Sequence, residues 1–389
     1  MEKSLNSCAS DTKKDITIIH IITGLGTGGA ESMLYRLLEH QASKYNHVVI
    51  SLTDGGKHKH LIENLGIQVE VLRPKVSLSF IITSLKMIRR LCTTKKTIIH
   101  AWMYHSFFIG LWFKLLSSRK LKIGFIFNVR HSLSNIEYET RKLQFIIRLI
   151  RFGISFCDAV VFNSRKSLEH HLRYWNCSDT AVFIPNGFDV KYWSKTNTVL
   201  TTQDLLGPNK NLDSDVQILL SVGRAHPMKN QIGLLEAFQA IAPQCPNLHL
   251  VLVGKGTESF DEKISSYRNR IHLLGERVDI KDIMNASDFF VLSSSWGEGF
   301  PNVLAEAILM NLSCISTDVG DAFSLIQNDD YLIQPGNHKQ LGDAITRLYK
   351  EPQKARKLSS LQSRKNIASN FSINKICSYY DNVYEAVVS

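Results

Sequence analysis

The sequence predicts an α/β protein made of two Rossmann-like, doubly wound domains, and three observations support that fold. The chain has 389 residues, which is more than a single hydrophobic core usually accommodates. Apolar runs of strand length alternate along it with longer segments of helical period, the pattern of parallel sheets covered by helices. The succession of strand, loop and helix begins near the N-terminus and begins again after a polar stretch at 194–214.

The predicted domain boundaries follow the polar stretches. We expect a polar tail at 1–14, an N-terminal domain at 15–193, a linker at 194–214, a C-terminal domain at 215–372 and a final helical segment at 373–389.

In the N-terminal domain a buried strand, Ile16–Ile22, runs into a glycine loop and then into a helix over about 30–43. The remaining strands are predicted at 47–52, 68–72, 97–102, 122–129, 159–162 and 182–184. Helices are predicted at about 78–92 and 106–117, and a basic amphipathic stretch covers 139–156.

The C-terminal domain opens with the strand Gln217–Val222, the loop 223–230 and a helix that continues through Ile241. Further strands are predicted at 248–253, 271–274, 288–292, 314–317 and 331–333. Helices are predicted from about 259, at about 280–285, from 301, and at about 338–351, 353–369 and 373–387. Because ligands of open α/β sheets bind beyond the carboxyl ends of the strands, we expect the site in the cleft between the domains.

Charge and cysteine content narrow the function classes. The net charge is +11, but residues 1–195 carry 28 Lys and Arg against 14 Asp and Glu, which favours an anionic partner such as nucleic acid, an acidic membrane surface or an acidic acceptor. The seven cysteines are scattered without a C-x-x-C pair, which argues against disulfides or zinc. Neither a signal peptide nor an apolar run of membrane-spanning length is recognisable, so we expect a cytoplasmic protein.

One stretch of the C-terminal domain carries the strongest functional pattern. It leaves a buried strand, passes two glycines and enters a helix whose first position we assign to Pro301. The N–H groups of Asn302 and Val303 would then face outward at a positive helix terminus, which favours phosphate. Glu298 precedes the helix and Glu306 lies inside it. The two carboxylates could bind hydroxyl groups on either side of a diphosphate, whereas the alternative is a surface loop beside a solvated Glu.

Two cations follow the first strand of the same domain. Arg224 and Lys229 are five residues apart in one loop. A guanidinium and an ammonium that converge on a diphosphate would neutralise a leaving group. The alternative is a pair of solvated loop cations.

The first glycine loop allows two interpretations. Gly24-x-Gly26-x-x-Gly29 matches the dinucleotide fingerprint, and Asp54 ends the second strand where a ribose-binding carboxylate would lie. Equally, Gly28 and Gly29 could let the backbone approach a phosphate of a ligand that is held mainly elsewhere.

Polar side chains also end two neighbouring strands of the N-terminal domain. His100, His105, Arg130 and His131 are expected to face the cleft, where one of them contacts the sugar or the acceptor; packing at a strand end is the alternative for each histidine. The histidine pair at 170–171 is expected on a helix surface. No H-x-x-x-H or paired-aspartate motif appears, so no metal is expected.

The amphipathic stretch 139–156 combines four cations with many apolar residues. Arg141, Lys142, Arg148 and Arg151 stand among isoleucine, leucine and phenylalanine. A helix of this composition can lie on an anionic membrane surface. The alternative is a core helix with an exposed basic edge.

Together these motifs resemble the retaining GT-B glycosyltransferases of the family-four type (glycosyl transferases group 1). The family signature, a Glu, seven residues and a second Glu, is matched by Ser-Trp-Gly-Glu298-Gly-Phe-Pro-Asn-Val-Leu-Ala-Glu306. The other matching segments, in family order, are Gly28-Gly29, Ile184-Pro185-Asn186-Gly187-Phe188-Asp189, Gly223-Arg224 with Lys229-Asn230, and Leu252-Val253-Gly254-Lys255-Gly256. The resemblance covers about residues 16 to 385 of the chain.

The resemblance implies a GT-B fold and assigns roles by position. Arg224 and Lys229 would hold the diphosphate of a nucleotide sugar, Glu306 the ribose and Glu298 the sugar hydroxyls, with Arg224, Lys229 and Glu298 as the catalytic residues. Further donor contacts would come from Gly28, Gly29, Gly254, Arg277, Gly299, Phe300, Asn302 and Val303. The last helix would cross back to the N-terminal domain. Retention would proceed by same-face attack, with the leaving phosphate taking the proton of the acceptor.

Three positions depart from the family pattern. Asn311 replaces a frequent Gly after the signature helix, and because Asn tolerates a left-handed cap we expect the turn to survive. Asp321 replaces a second glycine after Gly320, which affects the loop expected near the diphosphate. Arg130-His131 replaces the usual His and acidic residue, so both remain candidates for that role.

We therefore expect a two-domain retaining glycosyltransferase that moves a sugar from a nucleoside diphosphate to a hydroxyl acceptor, with a lipid-linked or lipopolysaccharide-type glycan as the favoured acceptor. Neither a cofactor nor a nucleic-acid partner is expected. The basic first half adds the hypothesis of peripheral contact with the inner face of the cytoplasmic membrane. The alternatives are a sugar-nucleotide epimerase of the same architecture, a dinucleotide-dependent oxidoreductase and a protein that only binds a nucleotide.

Overall fold

The computed structural model describes residues 15–26, 28–73, 78–91, 96–117, 122–133, 136–195, 200–206, 215–326 and 328–389. The chain divides into two compact units. The first comprises the residues up to Gly187 together with Ile373–Ser389, and the second comprises Phe188–Ser372. The predicted polar tail and the linker segments 196–199 and 207–214 lie outside the described residues.

Seven parallel strands form the described sheet of the first unit: β1 (Ile16–Ile22), β2 (Asn46–Ser51), β3 (Gln68–Val71), β4 (Lys96–Trp102), β5 (Lys122–Val129), β6 (Ala159–Phe162) and β7 (Ala181–Phe183). Their order across the sheet is β3-β2-β1-β4-β5-β6-β7. The direction of winding therefore reverses between β1 and β4, and a ligand of such a sheet binds beyond the carboxyl ends of these two strands. Every residue of β1 is buried, as expected for a central strand covered on both faces.

Six parallel strands form the described sheet of the second unit: β8 (Gln217–Val222), β9 (Leu248–Val253), β10 (Ile271–Leu273), β11 (Phe289–Leu292), β12 (Ser313–Thr317) and β13 (Leu332–Ile333). Their order is β10-β9-β8-β11-β12-β13. The winding reverses between β8 and β11, so the loops that follow these two strands lie beside each other at the ligand-binding edge.

Helices alternate with these strands along the described residues. They are α1 (Gly29–Gln41), α2 (His58–Glu63), α3 (Leu78–Leu91), α4 (Met103–Leu116), α5 (Arg141–Ile150), α6 (Arg165–Leu172), α7 (Thr202–Leu206), α8 (Gln231–Ile241), α9 (Ile280–Asn285), α10 (Asn302–Leu309), α11 (Ala322–Leu325), α12 (His338–Lys350), α13 (Gln353–Asn370) and α14 (Ile373–Val388).

The last helix, α14, packs in the first unit against β4 and β5. Ile376, Tyr380 and Tyr384 recur every four residues and are fully buried, which gives the helix one continuous apolar face. A Cβ atom at Gly124 on β5 would lie 2.1 Å from a methyl group of Val387, so a larger residue there would displace the Val387 side chain or the helix.

Three neighbouring strands of the first unit each bury one histidine. The indole N–H of Trp102 donates to Nδ1 of His20 at 3.2 Å, and Nε2 of His20 lies 3.0 Å from Nδ1 of His47. Nε2 of His47 lies 3.3 Å from the carbonyl oxygen of Gln41. Because an indole only donates and a carbonyl only accepts, both rings are satisfied as neutral tautomers. His100 is also fully buried, so the expectation that it faces the ligand edge is wrong.

Other local predictions also differ from the structure. Residues Thr257–Lys263 form a 3₁₀ helix instead of an α-helix, because Phe260 alone cannot supply a buried stripe. Helix α2 was not predicted, since a six-residue segment with three basic side chains shows no helical period. His171 is buried and not on the surface, because both ring nitrogens have partners inside the first unit.

Candidate active site

The second unit brings two predicted loops together at the reversal of its sheet. The loop after β8 carries Arg224 and Lys229, and the loop after β11 carries Glu298. The backbone N–H of Ser295 donates to the carbonyl oxygen of Met228 at 2.7 Å, which ties the two loops to each other.

Lys229 and Glu298 form an ion pair at this junction. The ammonium nitrogen lies 2.6 Å from Oε1 of the carboxylate, and the two side chains are only 18% and 12% exposed. The hydroxyl of Ser294 donates to the same Oε1 at 2.7 Å, and that of Ser293 donates to the carbonyl oxygen of Lys229 at 2.8 Å. Partial burial makes the attraction stronger than in a surface pair. The geometry therefore concentrates one positive and one negative group at the edge of the sheet.

The loop after β8 is held by side-chain hydrogen bonds. The imidazole of His226 accepts from the N–H of Met228 at 3.2 Å and begins a short 3₁₀ turn that ends at Lys229. The amide of Gln231 donates to the carbonyl oxygen of Arg224 at 2.9 Å. Partial burial, followed by the positive charges of Arg224 and Lys229, lowers the pKa of His226. The two predicted cations are thus in one electropositive loop, with the Arg224 side chain exposed.

Helix α10 begins one residue later than predicted. Pro301 is the N-cap, with φ of −76° and ψ of 91°, and Asn302 is the first helical residue. Phe300 is buried against the rings of Phe188 and Phe371, at centroid distances of 6.0 and 5.1 Å. The aromatic contacts fix the loop before the helix, so Phe300 serves packing, while Asn302, Val303 and Glu306 are half-buried.

Two glycines allow backbone segments to touch at this edge. Gly254 has φ of 145°, and a Cβ atom there would lie 2.2 Å from the carbonyl oxygen of Gly223. Gly320 has φ of 53°, and a Cβ atom there would lie 2.1 Å from the carbonyl oxygen of Gly299. The following Asp321 is buried, and its N–H donates to Gly299 at 2.9 Å, so the second glycine of the family pattern is not required for this contact.

Two further predicted positions lie in turns of the second unit. Asn311 adopts φ of 60° after α10, which confirms the expected left-handed cap. Arg277 is exposed and bound to Asp279 through two hydrogen bonds of 2.8 and 2.5 Å. A ligand that uses the Arg277 guanidinium must therefore share it with that carboxylate.

In the first unit the glycine pair lies where its sheet reverses. Gly28 is the N-cap of α1 and Gly29 is its first residue, and both are exposed beyond the carboxyl end of β1. Asp54 lies close to Gly24, because a Cβ atom added at Gly24 would be 3.3 Å from a carboxylate oxygen of Asp54. The glycine pair thus presents a helix start to solvent at the expected edge.

The candidates at the ends of β4 and β5 do not form one cluster. His105 is exposed on the first turn of α4. The Arg130 guanidinium turns into the unit, where it contacts Asn186 and donates to the hydroxyl of Tyr380 at 2.8 Å. His131 turns elsewhere, and its Nε2 lies 3.3 Å from Oε1 of Glu139.

Across the described residues, no group of three or more His, Cys, Asp or Glu side chains could hold a metal ion. Within the same part of the chain, none of the helices combines the length and apolar character that crossing a bilayer requires.

Comparison with known proteins identifies the family. HepE from Anabaena, solved in complex with UDP, superposes with a TM-score of 0.80 over 95% of this chain and 100% of HepE, at 21% identity. Two family models match as well, Glycosyltransferase Family 4 over residues 27–192 and Glycosyl transferases group 1 over residues 203–364. The chain belongs to the family-four GT-B glycosyltransferases. The fold predicted from the sequence is thereby confirmed.

Two curated relatives of this chain have names that refer to glycosyl transfer. UDP-Gal:alpha-D-GlcNAc-diphosphoundecaprenol alpha-1,3-galactosyltransferase from Escherichia coli is 32% identical over 202 residues, which are 49% of this chain and 50% of that protein. The capsular polysaccharide biosynthesis glycosyltransferase CapM from Staphylococcus aureus is 22% identical over 386 residues, 95% of this chain and 97% of CapM. The chain spans about half the length of the first curated relatives it matches.

Sequence reasoning missed several residues that hold the candidate groups in place. Ser294 and Gln231 hold the Glu298 and Arg224 loops, and Tyr104 and Glu139 contact His131. The hydroxyl of Ser294 carries no sequence signal of its own. Glu139 offered one, since it is the acidic residue that precedes an otherwise basic helix.

Proposed function

We propose that the protein is a retaining glycosyltransferase that moves a sugar from a nucleoside diphosphate to a hydroxyl group of a lipid-linked or polysaccharide glycan. The observation that carries the proposal is the Lys229–Glu298 pair, 2.6 Å apart where the winding of the second sheet reverses. Such reversals are where α/β sheets bind nucleotides. The family membership supports the reaction class, and the UDP and UDP-glucose complexes of HepE support the donor class.

The donor is proposed to bind along the edge formed by the loops after β8 and β11. Arg224 and Lys229 neutralise the diphosphate, and the first N–H groups of α10 add hydrogen bonds to it. Glu298 accepts hydrogen bonds from the hydroxyl groups of the transferred sugar, and Glu306 from those of the ribose. In the free protein the Lys229 charge is balanced by Glu298. When the donor binds, the diphosphate pairs with Lys229 in place of Glu298, and Glu298 then binds the sugar hydroxyls.

The reaction is proposed to need charge stabilisation and no protein nucleophile. The acceptor oxygen forms a bond to the anomeric carbon on the face from which the diphosphate leaves, while the bond from that carbon to the phosphate oxygen breaks. The hydroxyl proton passes to the departing phosphate oxygen. Arg224 and Lys229 stabilise the negative charge that develops there, a contribution for which single hydrogen-bond donors are worth about 10²–10³-fold in rate. Because two cations carry this role, we propose that transfer is independent of metal ions.

The test is transfer from a panel of nucleotide sugars to diphosphoundecaprenol-linked and free glycan acceptors. NMR of the product reports the anomeric configuration, and retention is expected for every accepted donor. Addition of EDTA should leave the rate unchanged. An inverted product would refute the retaining mechanism, loss of activity in EDTA would refute metal independence, and binding without transfer would refute the enzyme assignment.

We further propose that the first unit contacts an anionic membrane surface through helix α5. Ile147 and Ile150 are buried, and the indole N–H of Trp175 donates to the carbonyl oxygen of Ile147 at 2.8 Å, so one helix face is fixed to the core. On the opposite side of the helix Phe145 is 61% exposed, and Phe152, two residues after the helix ends, is 73% exposed. Core packing accounts for the first apolar face of this segment and leaves the second exposed, where the Arg151 guanidinium lies over the Phe152 ring at 5.2 Å.

The exposed aromatics are surrounded by cations. We define the docking face as Phe145, Leu149 and Phe152 together with Arg141, Lys142, Arg148 and Arg151. Leu149 is exposed four residues after Phe145, so the two side chains lie on the same face of the helix. Arginine and lysine beside exposed phenylalanine match a surface of anionic headgroups over acyl chains.

Vesicle sedimentation tests the docking face. Binding should require an anionic lipid, weaken with salt and fall in the Phe145→Ser/Phe152→Ser variant. Leu358→Ser is the matched control, since Leu358 is 72% exposed on α13 of the second unit. Binding that is indifferent to lipid charge, or that falls equally in the control, would refute this proposal.

A further inference from the structure

Four side chains of the first unit form a continuous chain of polar contacts that ends at Glu139. Nδ1 of His171 lies 2.7 Å from the carbonyl oxygen of Ser167, and its Nε2 lies 2.8 Å from the hydroxyl of Tyr104. The same hydroxyl lies 3.4 Å from Nδ1 of His131, whose Nε2 lies 3.3 Å from Oε1 of Glu139. The chain connects α6, α4 and the segment just before α5.

The donors and acceptors along this chain of contacts are determined at its buried end, His171. A carbonyl oxygen only accepts, so Nδ1 of His171 carries its proton and Nε2 is an acceptor. Tyr104 must therefore donate its hydroxyl proton to His171 and can offer only its oxygen to His131. Nδ1 of His131 must then be protonated. Each assignment follows from the one before it.

Two members of the chain are unable to exchange protons near neutral pH. Burial raises the pKa of Tyr104 well above its usual value, and burial lowers the pKa of His171 to about 3. In the described part of the unit, Glu139 contacts His131, and His170 contacts Ser132, the residue that follows His131. A proton that the chain exchanges near neutral pH would therefore lie between Nε2 of His131 and Glu139. Partial burial raises the pKa of Glu139 and favours sharing of that proton.

The location of the pair ties it to the ligand edge of the first sheet. His131 follows the carboxyl end of β5, and its carbonyl oxygen accepts from the hydroxyl of Ser167 at 2.6 Å, which fixes the backbone. The neighbouring Arg130 is directed into the unit toward Tyr380 and is engaged there. Of Arg130 and His131, only His131 keeps its side chain at the edge. That side chain is 20% exposed, and the side chain of Glu139 beside it is 14% exposed.

We propose that His131 and Glu139 act as one proton-sharing pair toward the acceptor sugar, with Glu139 as the positioning residue that keeps His131 protonated. This inference rests on the proposed glycosyl transfer. A sugar hydroxyl both donates and accepts hydrogen bonds, and the pair offers an imidazolium N–H next to a carboxylate oxygen. The contacts of 3.3 and 3.4 Å are long, so a hydroxyl can compete for either group.

Kinetics of Glu139→Gln tests the role of the pair. Glutamine keeps the size of the side chain and removes its charge, so kcat/KM for the acceptor should fall about 10–100-fold, while the affinity for UDP stays the same. The alkaline limb of the pH profile should move about one pH unit lower, because a nearby carboxylate favours a charged imidazole. Tyr104→Phe should shift the same limb in the same direction. Glu137→Gln is the control, since Glu137 is exposed two residues away.

An NMR titration separates failure of this inference from failure of the proposed function. The His131 ring signal, assigned by its loss in His131→Gln, should titrate at lower pH in Glu139→Gln than in the wild-type protein. An unchanged midpoint, or an acceptor pH profile unaltered by Glu139→Gln, overturns the pair. A shifted midpoint in a protein that transfers no sugar supports the pair and refutes glycosyl transfer.

Discussion

Lys229 and Glu298 are joined by a 2.6 Å ion pair although they are 69 residues apart in sequence. Neither side chain is more than 18% exposed. Removal of one partner from such a pair leaves a partly buried charge without compensation, which costs more than the loss of a surface pair. The pair therefore contributes both to the stability of the two loops and to the chemistry that we propose for them. Variants of its two members should differ in sugar transfer and in ligand affinity.

Lys229→Ala should abolish most sugar transfer without unfolding the protein. The substitution removes one of two cations proposed for the leaving diphosphate, and we expect a loss of about 10²–10³-fold in kcat/KM. Lys255→Ala is the matched control, because Lys255 is an exposed lysine in the next loop of the same sheet edge. Comparable activity of Lys229→Ala and Lys255→Ala would contradict the role of Lys229, provided that circular dichroism shows both variants folded.

The variants Glu298→Gln and Glu306→Gln should distinguish the contribution of the sugar to donor affinity from that of the nucleotide. If Glu306 binds the ribose, its variant should lose about tenfold or more in affinity for both UDP and UDP-sugar, as expected for a hydrogen bond to a charged group. Glu298→Gln should cause no loss of affinity for UDP, because it removes the charge that pairs with Lys229 in the free protein, and it should weaken only the sugar-bearing donor. Isothermal titration with the two ligands measures this difference, and equal losses for UDP in both variants would contradict the proposed division.

Those two glutamates also illustrate what the sequence predicts well. The two α/β sheets follow from apolar runs that are long, buried and regularly spaced, such as β1 and β9, in which every residue is buried. The approach of the loops after β8 and β11 follows from strand order, because reversal of winding brings them side by side. The positions of Glu298, Lys229 and Arg224 in neighbouring loops were therefore predictable from a pattern of strand ends.

Side-chain direction was not predictable in the same way. Arg130 and His131 are adjacent, yet one is directed toward Tyr380 and the other toward Glu139, which depends on contacts distant in sequence. His100 was expected at an edge and is buried, because α14 places Tyr384 against it. A strand-end pattern gives the position of a backbone atom, whereas packing from remote helices decides where the polar group points.

Gly254→Ala should destabilise the second unit by about 3 kcal/mol. A left-handed φ alone costs about 1 kcal/mol for alanine, and overpacking in a tight region adds about 1–3 kcal/mol. Here the added Cβ atom would lie 2.2 Å from a backbone oxygen of Gly223, which no side-chain movement can relieve. Thermal unfolding measures the change. Gly66→Ala is the control for strain alone, since Gly66 has φ of 78° with nothing within 4 Å of an added Cβ; an equal loss in both variants would contradict the clash.

The buried histidines should make the first unit sensitive to acid. Burial lowers the pKa of His47 to about 4, so the folded state keeps this ring neutral while the unfolded state binds a proton below its usual value of about 6.5. Stability is therefore full above pH 6.5 and decreases as the pH falls through this window. For His47 alone the loss is about 2 kcal/mol at pH 5 and about 3 kcal/mol below pH 4.

Urea unfolding between pH 7.5 and pH 4.5 measures this dependence. His47→Gln removes the titrating ring, so its free energy of unfolding should vary less with pH than that of the wild type, even though its stability at pH 7.5 is lower. His60→Gln is the control, because the side chain of His60 is 86% exposed and should contribute little to the slope. Burial also lowers the pKa of His20 and His100, so part of the slope should persist in His47→Gln. A slope identical to that of the wild type would show that His47 is not neutral in the folded state, and the hydrogen-bonded order from Trp102 to Gln41 would then be wrong.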